Sequence, residues 1–170
     1  ANDPCPCDLK QGDLGNCFFI SAIHTLILYF STHRNLLHKF LERIKSWQRF
    51  DTADYTGKFT FSLWNGFAYQ DVEVDDYLPV NKNDSNTRLF SGNRHGEYWP
   101  PLLEKATLKL LNLTYKDFDK GGYPCTIWKL FIPNGRSIVH NCPTIDQIRA
   151  EFNDQRDDYL VHAAAFPDDD

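Results

Sequence analysis

Apolar positions along the chain change their spacing repeatedly, and each change marks an element. From Cys17 the run "CFFISAIHTLILYF" is apolar at nearly every position, broken mainly by Ser21, His24 and Thr25. With Asn16 ahead of it, a residue suited to capping, this predicts a buried helix over 16–30 that places His24 in the core. Between 33 and 50, Leu36, Leu37, Phe40, Leu41, Ile44 and Trp47 recur at helical spacing with charges between them, which predicts a second, amphipathic helix. The period then drops to two. "KFTFSLW" at 58–64 and "AYQDVEVDDYLPV" at 68–80 flank Asn65-Gly66, a strong hairpin signal. Residues 81–97 are polar and read as loop. "YWPPLLEKATLKLLNL" from Tyr98 reads as a helix with prolines in its first turn. "DKGGYPC" at 119–125 breaks the chain. Beyond it, "TIDQIRAEFNDQRDDYLVHAAAF" reads as an amphipathic helix, a turn and a buried strand, and "PDDD" as a solvated end.

The class is α+β with helix leading, divided into residues 1–120 and 121–170 at the glycine pair. With 170 residues, 42% of them hydrophobic, the chain can bury a core of its own. A net charge of −5 without a basic block argues against a nucleic-acid or acidic-membrane partner. The run from Cys17 to Phe30 is too short and too polar for a membrane span. Five cysteines, an odd number without framework spacing, suit a reducing, intracellular setting. Cys5-Pro6-Cys7 lacks the second pair that a zinc site needs. The chain has no methionine and starts at Ala1, so it is expected to be a piece of a longer product.

Cys17 sits at the seam between a polar, glycine-broken loop and the apolar helix. The first turn of a helix favours the thiolate, which is the nucleophilic form. Gln11 offers a neutral amide donor which, with a backbone N–H, suits the oxyanion of an attacked carbonyl. Gly12 and Gly15 leave room for a substrate backbone. A cysteine in such a helix can equally be a small packed core residue; the joint pattern Gln-Gly-x-x-Gly-x-Cys favours catalysis.

"QGDLGNCFFISAI" at 11–23 resembles the nucleophile loop of papain-clan cysteine proteases, and specifically of calpains. Three further segments in the same order strengthen the resemblance. They are the hairpin "GKFTFSLWNGFAYQDVEVDDYLPV", "EYWPPLLEKA" at 97–106 and "YKDFDKGG" at 115–122. The resemblance implies a papain-like core whose helical subdomain carries the nucleophile helix and a hairpin, followed by the start of a β-rich subdomain. It implies a cytoplasmic, calcium-dependent endopeptidase that acts on protein substrates and has further domains in the same chain. Cys17 is then the nucleophile, Gln11 part of the oxyanion hole, and Asp8 and Glu97 calcium ligands, a pairing that suits a hard cation.

Two departures stand out. Phe18 replaces the tryptophan that usually follows the cysteine. The Gly-His-Ala and Asn-x-Trp motifs, which supply the general base and its orienting residue, are absent. His162 in "YLVHAAAF" has no glycine before it and falls where the family places a strand. His140 has nothing around it to support such a role. The chain alone is therefore expected to be inactive, and an inactive regulatory or protein-binding module is the alternative reading.

Overall fold

The computed structural model describes residues 5–13, 15–32, 34–43, 55–88, 91, 98–133 and 146. In chain order these form a 3₁₀ turn at Pro6–Asp8, α1 (Cys17–Thr32), α2 (Arg34–Arg43), β1 (Lys58–Trp64), β2 (Tyr69–Asp75), β3 (Val80–Asn81), β4 (Asp84–Arg88), α3 (Trp99–Leu111), α4 (Tyr115–Phe118) and α5 (Pro124–Trp128). The mixture of helices with an antiparallel hairpin is the expected α+β class.

Helix α1 buries Phe18, Phe19, Ala22, Ile23, Leu26, Ile27 and Phe30, a stripe at helical spacing that faces the core. It is buried on one face only. Cys17, His24, Leu28 and Ser31 are exposed along the other, so His24 is a surface residue rather than the core histidine expected from the sequence. The continuous apolar run had concealed this second face. Hydroxyls inside the helix return to their own backbone, Ser21 Oγ to the Phe18 carbonyl and Thr25 Oγ1 to that of Ser21.

β1 and β2 pair antiparallel, with Phe59 opposite Val74 and Phe61 opposite Val72. Alternation places Phe59, Phe61, Leu63, Val72 and Val74 on one buried face, and α3 packs on both strands. The connection is a four-residue loop rather than a two-residue turn. Asn65 donates its N–H to the Ala68 carbonyl, and its side-chain oxygen accepts from the Phe67 and Ala68 N–H groups. Gly66 takes the positive φ of 104° that this needs. β3 and β4 form a second, short antiparallel ladder that starts at Val80, the end of the expected strand, and runs into the segment expected to be loop. Polar strands carry no apolar alternation, so the sequence pattern could not reveal them.

Pro100 and Pro101 occupy the first turn of α3, where their missing N–H groups cost nothing. The helix stops at Asn112, in the left-handed region with φ 54°. After the Gly121-Gly122 break, residues 124–132 continue the same core. Ile127, Leu130 and Phe131 are buried, Trp128 Nε1 donates to the Ala22 carbonyl at 3.1 Å, and the Phe131 carbonyl accepts from Tyr69 Oη at 3.1 Å. Aromatic pairs run through this core: Phe30 on Phe40, Phe40 on Phe131, and Phe118 on both Phe18 and Phe19. Apart from Asp146, which is helical, the elements expected beyond residue 133 lie outside the described residues.

Candidate active site

Cys17 is the first residue of the 16-residue α1, and its thiol is exposed and unpaired. The four residues around it are held. Gly15 donates its N–H to Asp119 Oδ1 at 2.7 Å. Asn16 is fully buried and starts the helix, its carbonyl accepting from the Phe19 and Ile20 N–H groups. Phe18 lies edge-on to Phe118 at 4.8 Å between ring centres and against Gly122, and Phe19 is fully buried. The chain thus presents the Cys17 thiol to solvent from a rigid helix start.

The glycine expected to admit a substrate has a different neighbour. A Cβ on Gly15 would meet the Asp119 carbonyl oxygen at 2.5 Å, so its bareness serves the approach of the chain's own backbone. Phe18, where calpains usually carry tryptophan, is turned into the core.

Gln11 is exposed on the loop that leads to Cys17. That loop is anchored at both ends, by Gly15 on Asp119 and by the 3₁₀ turn, which packs on α1. Leu9 is buried at the turn's end. Asp8 is 5% exposed. Its Oδ2 accepts from the Cys5 N–H at 2.7 Å, closing a capping box around the turn. Cys5 and Cys7 are joined as a disulfide across it, whereas the cysteine count had suggested reduced thiols throughout. Glu97 lies outside the described residues. Among those described, no group of three or more His, Cys, Asp or Glu side chains could hold a metal. Asp8 therefore contributes one hard carboxylate, against the six to eight oxygens that calcium takes.

Two histidines are described, and no hydrogen bond joins either of them to Cys17. His24 lies seven residues along α1, which at 1.5 Å per residue is about 10 Å away, far beyond hydrogen-bond reach. His38 is exposed on α2 and pairs with Glu42 at 3.5 Å. His33, His95, His140 and His162 lie outside the described residues. A cavity of about 240 Å³ is lined by Lys39, Glu42, Arg43, Ser62 and Tyr69, away from Cys17. There the Arg43 guanidinium stacks on the Tyr69 ring at 3.8 Å.

Sequence reasoning missed a buried polar group beside the thiol. Asn16 Nδ2 donates to Glu104 Oε1 at 2.7 Å and to Ser91 Oγ at 3.2 Å, and the Ser91 N–H donates to Glu104 Oε2 at 2.9 Å. Burial pushes the Glu104 carboxyl up from its ordinary range, and the hydrogen bonds from Ser91 and Asn16 oppose that. The available signal was a charge inside the apolar stretch "WPPLLEKA".

The sequence model of the calpain family of cysteine proteases matches residues 2–131. The chain belongs to the calpain family. Among its relatives, human calpain-12 is 38% identical over 103 residues, and rat calpain-8 38% over 104. Each match covers 61% of this chain and 13% of the relative. The chicken calpain-1 catalytic subunit is 36% identical over 114 residues, 67% of this chain and 15% of that subunit. The chain thus spans roughly one seventh of these calpains' length. No helix among the described residues is long and apolar enough to cross a membrane.

Proposed function

We propose that the protein containing this chain is a calcium-dependent, calpain-type cysteine endopeptidase in which Cys17 is the nucleophile. The carrying observation is the exposed, unpaired thiol at the first residue of a 16-residue helix whose start is locked by its neighbours. The Cys17 thiolate attacks the carbonyl carbon of a peptide bond, and the negative charge that develops on the oxygen is met by the Gln11 amide and a backbone N–H. The C–N bond then breaks, the amine leaves with a proton from the general acid, and water hydrolyses the thioester to release the acid and restore the thiol. The histidine that exchanges these protons comes from outside the described residues.

Residues 1–120 form the nucleophile side of the protease core, residues 124–132 still pack into that core, and the rest of 121–170 leads into the second subdomain. Further domains belong to the same chain, and the substrates are proteins. Calcium held by Asp8 and Glu97 would neutralise both carboxylates and tie the loop before Cys17 to the segment before α3. An exposed thiol nucleophile suits a reducing, cytoplasmic setting. This piece alone is expected to be inactive, because the Gly-His-Ala and Asn-x-Trp motifs are absent from its sequence.

The test is casein cleavage by the full-length protein with calcium. Cys17→Ser should abolish it while leaving the melting temperature near wild type, because the side chain is exposed. Undiminished cleavage would overturn the assignment. The absence of the Gly-His-Ala and Asn-x-Trp motifs from the sequence motivates a second reading, an inactive regulatory or protein-binding module. A full-length protein that cleaves nothing yet folds normally would establish that one.

A further inference from the structure

We infer that Glu104 is a positioning residue for Cys17: through Asn16 it fixes the start of α1, and with it the direction of the thiol. This rests on Cys17 being the nucleophile. An asparagine before the first residue of a helix ordinarily turns its side chain back onto the N–H groups of the first turn. Asn16 instead sends its amide 88 residues along the chain to α3, where Glu104 Oε1 accepts at 2.7 Å. The other carboxylate oxygen holds the Ser91 N–H at 2.9 Å, and Ser91 Oγ accepts from the same Asn16 amide at 3.2 Å. Asn16 and Glu104 are fully buried and Ser91 is 1% exposed.

Packing alone does not explain an acid at this place. Its helix neighbours Leu102, Leu103 and Ala106 are buried and apolar, and a carboxylate held only by neutral donors, the Asn16 amide and the Ser91 hydroxyl and N–H, pays desolvation that a leucine would not. A carboxylate does supply two oxygens in a fixed plane, which join the residue before Cys17 to Ser91 in one rigid unit. Phe18, seated on Phe118 and Gly122, pins the other side of the thiol. Released at Asn16, the helix start would swing about Phe18. Misplacement by about 1 Å can cost around 100-fold in rate without weakening substrate binding.

The experiment uses the full-length protein, with active sites counted by an irreversible thiol-directed peptide inhibitor. Glu104→Leu is expected to lower kcat on a peptide substrate about 10- to 100-fold, with KM within about twofold. Alkylation of Cys17 by iodoacetamide, followed at that residue by mass spectrometry, should slow about two- to fivefold as the thiol leaves the helix dipole. Asn16→Ala should give both effects from the other end of the tie without losing a cap bond, and it carries the test if Glu104→Leu does not fold. Glu104→Gln can still accept from Ser91 and can donate to Asn16 Oδ1, an oxygen without a partner in the present arrangement, so it should stay near wild type. Leu63→Ala, in the hairpin core, serves as a destabilised control.

Unchanged kcat per active site in both Glu104→Leu and Asn16→Ala overturns the proposal. So does an equal loss in Leu63→Ala, or a Glu104→Gln no better than Glu104→Leu. If the wild-type protein cleaves no peptide but Cys17 alkylation still slows in Glu104→Leu and Asn16→Ala, the peptidase reading fails and the positioning role stands. Alkylation unchanged in both variants overturns the positioning role alone.

Discussion

Gly15 and Asp119 meet twice: the glycine N–H donates to the aspartate carboxylate at 2.7 Å, and the aspartate carbonyl oxygen lies 2.5 Å from where a Cβ on Gly15 would sit. The obstructing atom is backbone and cannot rotate away. Gly15→Ala should therefore destabilise by about 1–3 kcal/mol, as overpacking does. Asp119→Ala leaves the space intact and loses one exposed acceptor, which costs about 0.5–1.5 kcal/mol. Thermal melts of the two variants check this; a Gly15→Ala as stable as wild type would contradict the contact.

Phe118 supports the residues just after the thiol from below, 4.8 Å from Phe18 and 5.7 Å from Phe19 between ring centres. Phe118→Ala should cost about 3–5 kcal/mol in denaturant unfolding, the usual loss for a buried aromatic. The cavity would open directly beneath α1. A loss below 1 kcal/mol would mean that the helix start is not seated there.

Glu104 gives the pH dependence a definite sign. Burial raises its folded pKa above the ordinary 4.5, so the native protein keeps this proton to higher pH than the unfolded chain does. Its contribution to stability is thus fully present below pH 4.5, falls as pH rises from there through the raised folded pKa, and is flat above it. Wild-type stability minus that of Glu104→Gln should fall over this window. Taking the difference cancels carboxyls common to both proteins, including Asp75, whose pKa is lowered chiefly by its hydrogen bond from Lys105. Melting curves at a series of pH values decide it, and a rising difference refutes the sign.

Calcium should stabilise the full-length protein by mass action, about 2.7 kcal/mol at a concentration 100 times its Kd. Asp8→Ala also removes the acceptor of the Cys5 N–H, so its melting temperature should drop even without calcium. The informative quantity is the increment on adding calcium, which Asp8→Ala and Glu97→Ala should both abolish. A full increment in both variants would place the ion elsewhere.

What the sequence determined by itself was local. Alternation at 58–64 gave β1 its bounds and its buried Phe59, Phe61 and Leu63. The prolines at 100 and 101 marked the start of α3, and the loop with its cysteine marked the residue that opens α1. These follow from spacing and backbone chemistry within a few residues, where period and face are the same thing. Folding decided the rest. It exposed His24, gave Gly15 a neighbour in Asp119, carried Trp128 back onto Ala22, and drew the Asn16 amide away from its own helix to Glu104. Those partners are 88 to 106 residues apart. No local pattern encodes them, because a buried polar group selects its partner only from what the closed core brings within hydrogen-bond distance.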